Sequence, residues 1–259
     1  MISRRTMLSL PLLAGPAAAF EMAQASQQGG LLIGRGAQGS RVTLEGRAVR
    51  VSPAGEFVLG FGRDHGPEAM LSVNGQPRRV TVAQRQWDVQ SISGLPPAQV
   101  TPDAATLERI VAERARLAAA RAAEGAATHF LAPLAWPARG RISGVYGSQR
   151  ILNGQPRQPH LGLDVAGPVG TLISAAWAGR VSLAAEFHFF GKLVVLDHGH
   201  GVNTLYAHLS SIEVTEGQAV SQGARIGAMG ATGRVTGPHL HFSLGWLQTW
   251  LDPQPLLPA

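Results

Sequence analysis

Two short histidine motifs limit how this chain of 259 residues can fold, because both fit extended structure and neither fits a helix. The first begins at His160 and ends at Asp164, and the second, His239 with His241, follows about eighty residues later. A proline before the first motif and a glycine inside it disfavour a helix. Side chains alternate in extended chain, so residues two or four positions apart point the same way. We therefore expect these four groups to converge from two neighbouring strands.

The residue types in these motifs favour a zinc site. Imidazole and carboxylate groups bind Zn²⁺, and three such ligands leave a fourth position at which water is activated for hydrolysis. The chain has no cysteine, which excludes thiolate sites, disulfides and a lipid-modified N-terminal cysteine. Spacing alone does not decide which of His239 and His241 would be a ligand. The sequence therefore predicts a hydrolytic centre built from His and Asp.

A second His-x-His pair, His198 and His200, serves as a comparison. It is flanked by glycines, which is typical of a hairpin turn, whereas metal ligands need rigid support. We therefore predict that this pair lies in a turn or behind the ligands and does not bind the metal.

Residues 1–25 have the pattern of an export signal. Two arginines, Arg4 and Arg5, precede a short apolar run that is too short to span a bilayer, and Ala23-Gln-Ala25 is a plausible cleavage site. The segment also resembles the twin-arginine export motif, with the general secretory route as the alternative. The mature protein is expected in the periplasm or outside the cell, with no membrane attachment once the signal is removed.

The remainder is predicted to be mainly β. Residues 26–97 alternate short β-branched runs with turns such as Asn74-Gly75, and resemble a small immunoglobulin-like β-sandwich with an accessory role. Residues 98–130 are a linker with a helix of about twenty residues, capped by Thr101 and starting at Pro102. Residues 131–259 lack a long amphipathic pattern and are expected to form an antiparallel β-sheet domain.

Charge says little about partners. The chain carries 22 basic and 16 acidic residues, a net charge of +6, and every basic residue except Lys192 is arginine. This bias towards arginine favours genomic base composition over a nucleic-acid partner, which we do not expect. A basic surface would be attracted weakly to an anionic cell wall.

Residues 131–259 resemble the lysostaphin-like zinc endopeptidases, also called the M23 or LytM-type family, which cleave peptide bridges of bacterial peptidoglycan. The resemblance rests on four segments in the order and spacing of that family. They are residues 160–164, 205–210, 217–227 and 230–242.

The resemblance implies roles for five residues. His160, Asp164 and His241 would bind one zinc ion per chain, and His208 and His239 would stand on either side of the activated water. Which of these two imidazoles acts as the base stays open. The implied substrate is a peptidoglycan peptide.

Two alternatives accompany this prediction. Related domains that have lost ligands act as non-catalytic activators of other wall hydrolases, although all five positions are filled here. The second alternative is a zinc endopeptidase that acts on proteins.

The segment 144–154 is expected to form a loop at the rim of the cleft, where Arg150, together with Arg157, could contact a substrate carboxylate. The scissile bond, the role of the N-terminal β-domain and the oligomeric state stay open.

Overall fold

The computed structural model describes residues 21–22, 26–94 and 103–259. Within these ranges the chain is mainly β, as predicted, with twenty strands and one α-helix. Most of the predicted export signal lies outside the described residues. No helix in the described ranges is long and apolar enough to cross a membrane.

The N-terminal strands form two small antiparallel sheets, ordered β1-β2-β5 and β4-β3-β6-β7. Their bounds are β1 Glu21–Met22, β2 Leu31–Arg35, β3 Val42–Leu44, β4 Arg47–Val49, β5 Phe57–Gly60, β6 Glu68–Val73 and β7 Gln76–Thr81. Asn74 and Gly75 make the predicted hairpin turn, both with positive φ. Phe57, Leu59 and Leu71 are fully buried in one core. The immunoglobulin-like topology stays a prediction.

The helix α1 (Ala104–Arg121) lies between these sheets and the second half of the chain in the sequence. The prediction that Thr101 caps it is wrong, because Asp103 is the N-cap and its carboxylate accepts a hydrogen bond from the Thr106 N–H. Leu117 packs against the sheet below. Arg121, which ends the helix, lies 3.3 Å from the ring centre of Trp250.

The second half is built around one ten-stranded sheet, in which β17-β14-β15-β16-β19-β12-β9 form the main path and β13, β18 and β20 attach to it. The strands are β9 Arg141–Gly144, β12 Leu163–Ala166, β13 Leu172–Ser174, β14 Gly179–Phe187, β15 Gly191–Asp197, β16 Val202–Ile212, β17 Ala219–Val220, β18 Arg225–Met229, β19 His239–Trp246 and β20 Thr249–Leu251. All the pairings in this sheet are antiparallel, as predicted.

A smaller sheet crosses between the two halves. Strand β8 (Val89–Ile92) pairs in parallel with β10 (Gln149–Leu152), which in turn pairs with β11 (Gln155–Pro156). The sequence predicted a loop for the segment 144–154. In the structure this segment also contains the strand β10. This pairing brings a strand from before the helix to the neighbourhood of the histidine motifs.

The two faces of the large sheet pack against two different hydrophobic clusters. Tyr206 and Phe242 face the main core, which also contains residues of the N-terminal sheets. Leu205 and Ala207 face the opposite way, into a smaller cluster beneath α1. Since Ala207 is paired directly with His241, the second histidine motif lies on this second face.

Candidate metal centre

The first two candidate ligands, Asp164 and His241, lie directly opposite each other on neighbouring strands. Asp164 is on β12, His241 is on β19, and the antiparallel register pairs them. Residues paired in this way project to the same side of the sheet. The Asp164 Oδ1 to His241 Nδ1 distance is 2.8 Å. The expected convergence from two strands is therefore present for this pair.

His160 reaches the same point from a loop, not from a strand. It precedes β12, and its Nε2 lies 2.9 Å from Asp164 Oδ1 and 3.0 Å from His241 Nδ1. All three side chains are buried. Gly162, between His160 and β12, is needed for space, because a Cβ there would lie 2.6 Å from His241 Cε1. The glycine that disfavoured a helix in the sequence thus makes room for the imidazole of His241, a candidate ligand.

Hydrogen bonds behind the ligands fix the position of each imidazole proton. His160 Nδ1 lies 2.9 Å from the carbonyl oxygen of Val145, which can only accept, so Nδ1 carries the proton. The Ser243 hydroxyl donates to the Leu161 carbonyl at 2.8 Å and therefore accepts from His241 Nε2 at 2.9 Å. The lone pairs then lie on His160 Nε2 and His241 Nδ1, the two atoms that face Asp164.

Three electron-rich atoms therefore meet at one point. Burial lowers the pKa of His241 to about 4, which keeps its imidazole neutral. Lone pairs on two imidazole nitrogens and a carboxylate oxygen within 3.0 Å of one another repel unless a cation lies between them. Two nitrogen ligands and one oxygen ligand, each held by groups behind it, suit Zn²⁺. The residues present fit a divalent metal ion.

His208 reaches the site through an irregularity in β16. Tyr206 and Leu209 both belong to the main core, so two successive residues, Ala207 and His208, project to the opposite side. The pairing with β15 shifts by one residue at this point, and His208 has a φ of 64°. An extra residue of this kind is a β-bulge, which re-aims side chains. Without it, strict alternation would turn His208 into the core.

The two remaining histidines also present lone pairs to the site. His208 Nδ1 lies 2.8 Å from the Thr232 carbonyl and His239 Nδ1 lies 2.9 Å from the Gly237 carbonyl, so each Nδ1 carries a proton. Their Nε2 atoms are left as acceptors. The two rings are 4.8 Å apart, and His239 Nε2 is 3.8 Å from Asp164 Oδ1. Burial, together with His241 and His239, lowers the pKa of His208 to about 3, so its imidazole is neutral.

An open cavity leads from these groups to solvent. Its lining combines residues of the histidine motifs with residues of the small sheet and of the loop before β19. They are Gln90, Ser143, Arg150, Leu152, Asp164, His208, Arg234, Val235, Thr236, His239 and His241. Gln90 and Arg234 were not singled out in the sequence. Only knowledge of the β8–β10 pairing could have placed Gln90 here.

The other predicted candidates lie elsewhere. His198 and His200 are buried in the turn between β15 and β16, and neither lines the cavity. Of the two arginines proposed to meet a substrate, Arg150 lines the cavity and Arg157 does not.

Comparison with known proteins identifies the family of the chain. The model of peptidase family M23 matches residues 158–253, a segment that contains His160, Asp164, His208, His239 and His241. A crystal structure of a Pseudomonas aeruginosa protein assigned to peptidase M23 is 30% identical, with a TM-score of 0.68, and the match covers 89% of this chain and 94% of that one. The chain belongs to peptidase family M23.

Curated relatives match only part of this chain. Peptidoglycan DD-endopeptidase ShyA of Vibrio cholerae is 49% identical over 86 residues, which are 33% of this chain and 20% of that protein. DD-carboxypeptidase/endopeptidase Mpg of Neisseria meningitidis is 40% identical over 100 residues, 39% of this chain and 22% of that protein. The chain thus spans about a fifth of the length of these relatives.

Proposed function

We propose that this M23 protein is a zinc-dependent endopeptidase that hydrolyses peptide cross-links of bacterial peptidoglycan. One observation carries the proposal. Three lone pairs, on His160, Asp164 and His241, converge on one point, while two more, on His208 and His239, face it from the open side. That combination provides metal ligands and proton acceptors at the floor of one cavity. The names of the curated relatives support peptidoglycan as the substrate.

The residues divide the chemical work between them. When bound, one zinc ion per chain would polarise a water molecule and the carbonyl of the scissile bond. The Nε2 atoms of His208 and His239 are placed to accept the proton that the attacking water loses. A protonated imidazole can then donate that proton to the departing amine or to the oxyanion. The buried position of His208 keeps it unprotonated at the start of the cycle.

The two alternatives differ from this proposal in testable ways. A non-catalytic activator needs neither the ligands nor the two proton acceptors, yet all five residues are present and convergent here. An endopeptidase acting on proteins would share the metal site and differ in the substrate.

The proposed location of the protein is the periplasm or the exterior of the cell. Residues 1–25 supply the export signal in this proposal, residues 26–97 an accessory β-domain, residues 98–130 the linker and residues 131–259 the peptidase domain. Peptidoglycan lies outside the cytoplasmic membrane, so the proposed export and the proposed substrate agree. Purified protein from a periplasmic fraction that begins near Ser26 would support the signal.

Digestion of purified sacculi tests the function. The protein is incubated with sacculi with and without a chelator, its metal content is measured by elemental analysis, and released peptides are analysed by mass spectrometry. We expect cleaved cross-links that disappear with chelator and return with added Zn²⁺. An Asp164→Asn variant should release nothing. Zinc-loaded protein that releases no peptide from sacculi, but stimulates another wall hydrolase, would establish the activator alternative instead.

A further inference from the structure

Glu113 on α1 holds the turn between β14 and β15, residues 188–190. Its carboxylate accepts the His188 N–H, with Oε2 at 2.8 Å and Oε1 at 3.0 Å from the nitrogen. Arg109, one helical turn earlier, donates from Nε to Glu113 Oε1 at 2.6 Å. Only 14% of the Glu113 side chain is exposed, and a hydrogen bond to a charged acceptor is stronger than one between neutral groups. The helix therefore fixes the first residue of this turn.

The last residue of the same turn holds the backbone of His208. The Phe190 carbonyl accepts the His208 N–H at 2.9 Å. This hydrogen bond lies at the bulge in β16, where the regular pairing with β15 is interrupted. With a φ of 64°, His208 has a backbone conformation that persists only when the surrounding structure enforces it. The Phe190 carbonyl is one of the contacts that enforce it.

The chain that follows the turn also holds the group that orients the His208 ring. His208 Nδ1 donates to the Thr232 carbonyl at 2.8 Å, and Thr232 Oγ1 accepts the Lys192 N–H at 3.0 Å. Gly191, the residue directly after the turn, lies so close to Thr232 that an added Cβ would be 2.2 Å from Oγ1. The position of the turn therefore sets both the backbone and the ring of His208.

Displacement of the turn would move His208 and spare the metal ligands. A proton acceptor in a hydrolytic site must lie within hydrogen-bond reach of the attacking water. A shift of about 1 Å in such a group can cost about 100-fold in rate. The proposed ligands are held by other contacts, since Asp164 and His241 lie on directly paired strands. Loss of the Glu113 carboxylate should thus lower turnover without releasing zinc.

We infer that Glu113 is a positioning residue, which holds the β14–β15 turn and, through that turn, keeps His208 in place beside the metal centre. This inference rests on the proposed function, because it assigns the placement of a proposed proton acceptor to α1. The helix precedes the matched residues 158–253, so the positioning contact comes from outside the family segment. The contact is made to the backbone N–H of His188 and does not depend on the imidazole of that residue.

Substitution of Glu113 tests the inference through turnover. Glu113→Ala removes the acceptor, whereas Glu113→Gln retains one side-chain oxygen that can accept the His188 N–H. With a cross-linked peptidoglycan peptide as substrate, we expect Glu113→Ala to lower kcat about 10-fold, with KM and zinc content unchanged. Glu113→Gln should restore kcat to within about threefold of the unaltered protein. Unchanged kcat in Glu113→Ala, or loss of zinc from it, would overturn the positioning role.

Glu216→Ala is the matched control for a merely structural effect. Glu216 also links α1 to β14, since its Oε1 accepts from Arg116 Nη2 at 2.7 Å and from the Ala184 N–H at 3.2 Å. It does so along the strand, away from the turn. We expect Glu216→Ala to leave kcat unchanged, and urea unfolding reports the stability lost by each variant. Equal falls in kcat in Glu113→Ala and Glu216→Ala would assign the effect to general loosening of the helix.

The imidazole of His208 provides a second readout. In zinc-loaded protein with isotope-labelled histidine, its Cε1–Hε1 signal is identified by NMR from its absence in His208→Ala. We expect Glu113→Ala to shift or broaden this signal, Glu216→Ala to leave it in place, and the signal of His198 to be unchanged in both. A His208 signal that is the same in Glu113→Ala as in the unaltered protein would contradict the inference, whatever happens to kcat.

The NMR measurement keeps this inference separate from the proposed function. Zinc-loaded protein that cleaves no cross-link, yet shows the change at His208 in Glu113→Ala alone, would contradict the endopeptidase and retain the positioning contact. Protein that cleaves cross-links equally well with and without the Glu113 carboxylate would retain the endopeptidase and reject the positioning role.

Discussion

The indole of Trp87 covers Gly147 so closely that a Cβ on the glycine would lie 2.0 Å from Trp87 Cε3. Gly147 also donates its N–H to the His160 carbonyl at 2.7 Å and accepts a hydrogen bond from Arg63 Nε at 2.6 Å. Trp87 itself is flanked by guanidiniums, with Arg85 at 4.5 Å from the ring centre. The residues that precede the helix thus hold the backbone that carries His160, a proposed metal ligand.

We expect Gly147→Ala to destabilise the protein by about 2 kcal/mol or more, because the new methyl group must displace Trp87 and because alanine is strained at a φ of 88°. Metal affinity should fall as well, since His160 loses part of its support. Urea unfolding and a zinc-competition titration measure the two effects.

Gly154→Ala is the matched control. Gly154 has a φ of 78° but nothing within 4 Å of an added Cβ, so only the backbone strain remains. Equal losses of stability and unchanged metal affinity in both variants would show that the contact between Trp87 and Gly147 does not support the site.

Ser243→Ala should weaken zinc binding about 10- to 100-fold, because Ser243 accepts the Nε2 proton of His241 and so holds the lone pair on Nδ1. The affinity is measured by competition with a chromogenic chelator. Ser182→Ala, which removes a hydroxyl bonded to a strand carbonyl elsewhere in the sheet, should leave affinity unchanged. If both serine variants bind zinc as the unaltered protein does, the assigned tautomer of His241 is wrong.

His208→Ala should retain zinc and lose turnover by about 100-fold or more, the range expected when a proton acceptor is removed. Steady-state hydrolysis of a cross-linked peptide and elemental analysis measure the two properties. His188→Ala serves as the control, because His188 lies in the turn between β14 and β15 and does not line the cavity. Unchanged turnover without His208 would leave His239 as the proton acceptor.

Acid should destabilise the fold through His198. Burial lowers the pKa of this residue to about 4, and its Nδ1 donates to the Ala178 carbonyl at 2.7 Å. The unfolded chain takes up a proton near pH 6.5 and the folded chain does not. Keeping His198 neutral therefore contributes roughly 3 kcal/mol to the free energy of unfolding above pH 6.5. That contribution is lost as the pH falls towards 4.

Urea unfolding between pH 4 and 7, with excess chelator to remove metal linkage, measures that loss. A His198→Gln variant should be less stable at neutral pH but should show a shallower decline in acid. An identical decline in the variant would assign the acid sensitivity to other groups.

The sequence predicted the sheet and the convergence of Asp164 with His241 from neighbouring strands, because alternation of side chains is a strict local rule. The choice of His241 over His239 came from the family resemblance, and His160 reaches the site from a loop and not from the expected strand. Two local details were predicted wrongly. Whether Thr101 or Asp103 caps the helix depends on where the first turn closes, and the motif 160–164 turned out to be part loop, with β12 starting at Leu163.

Two features of the cavity had no local signal. The bulge that turns His208 towards the metal centre depends on one extra residue in the pairing of β16 with β15, which composition does not reveal. Gln90 enters through a parallel pairing between strands about sixty residues apart. Long-range pairings of this kind depend on tertiary packing and not on the propensity of either segment.

The parallel pairing of β8 with β10 brings residues from outside the matched segment 158–253 to the cavity. The proposed ligands and proton acceptors all fall within the matched residues 158–253, whereas Gln90, Ser143 and Arg150 precede them. Part of the cavity lining therefore comes from residues outside the matched segment 158–253. Two M23 proteins with the same reaction chemistry can therefore differ in substrate preference through those earlier residues alone. A fragment limited to residues 158–253 would retain the proposed ligands and proton acceptors. It would lose Gln90, Ser143 and Arg150 from the lining of the cavity.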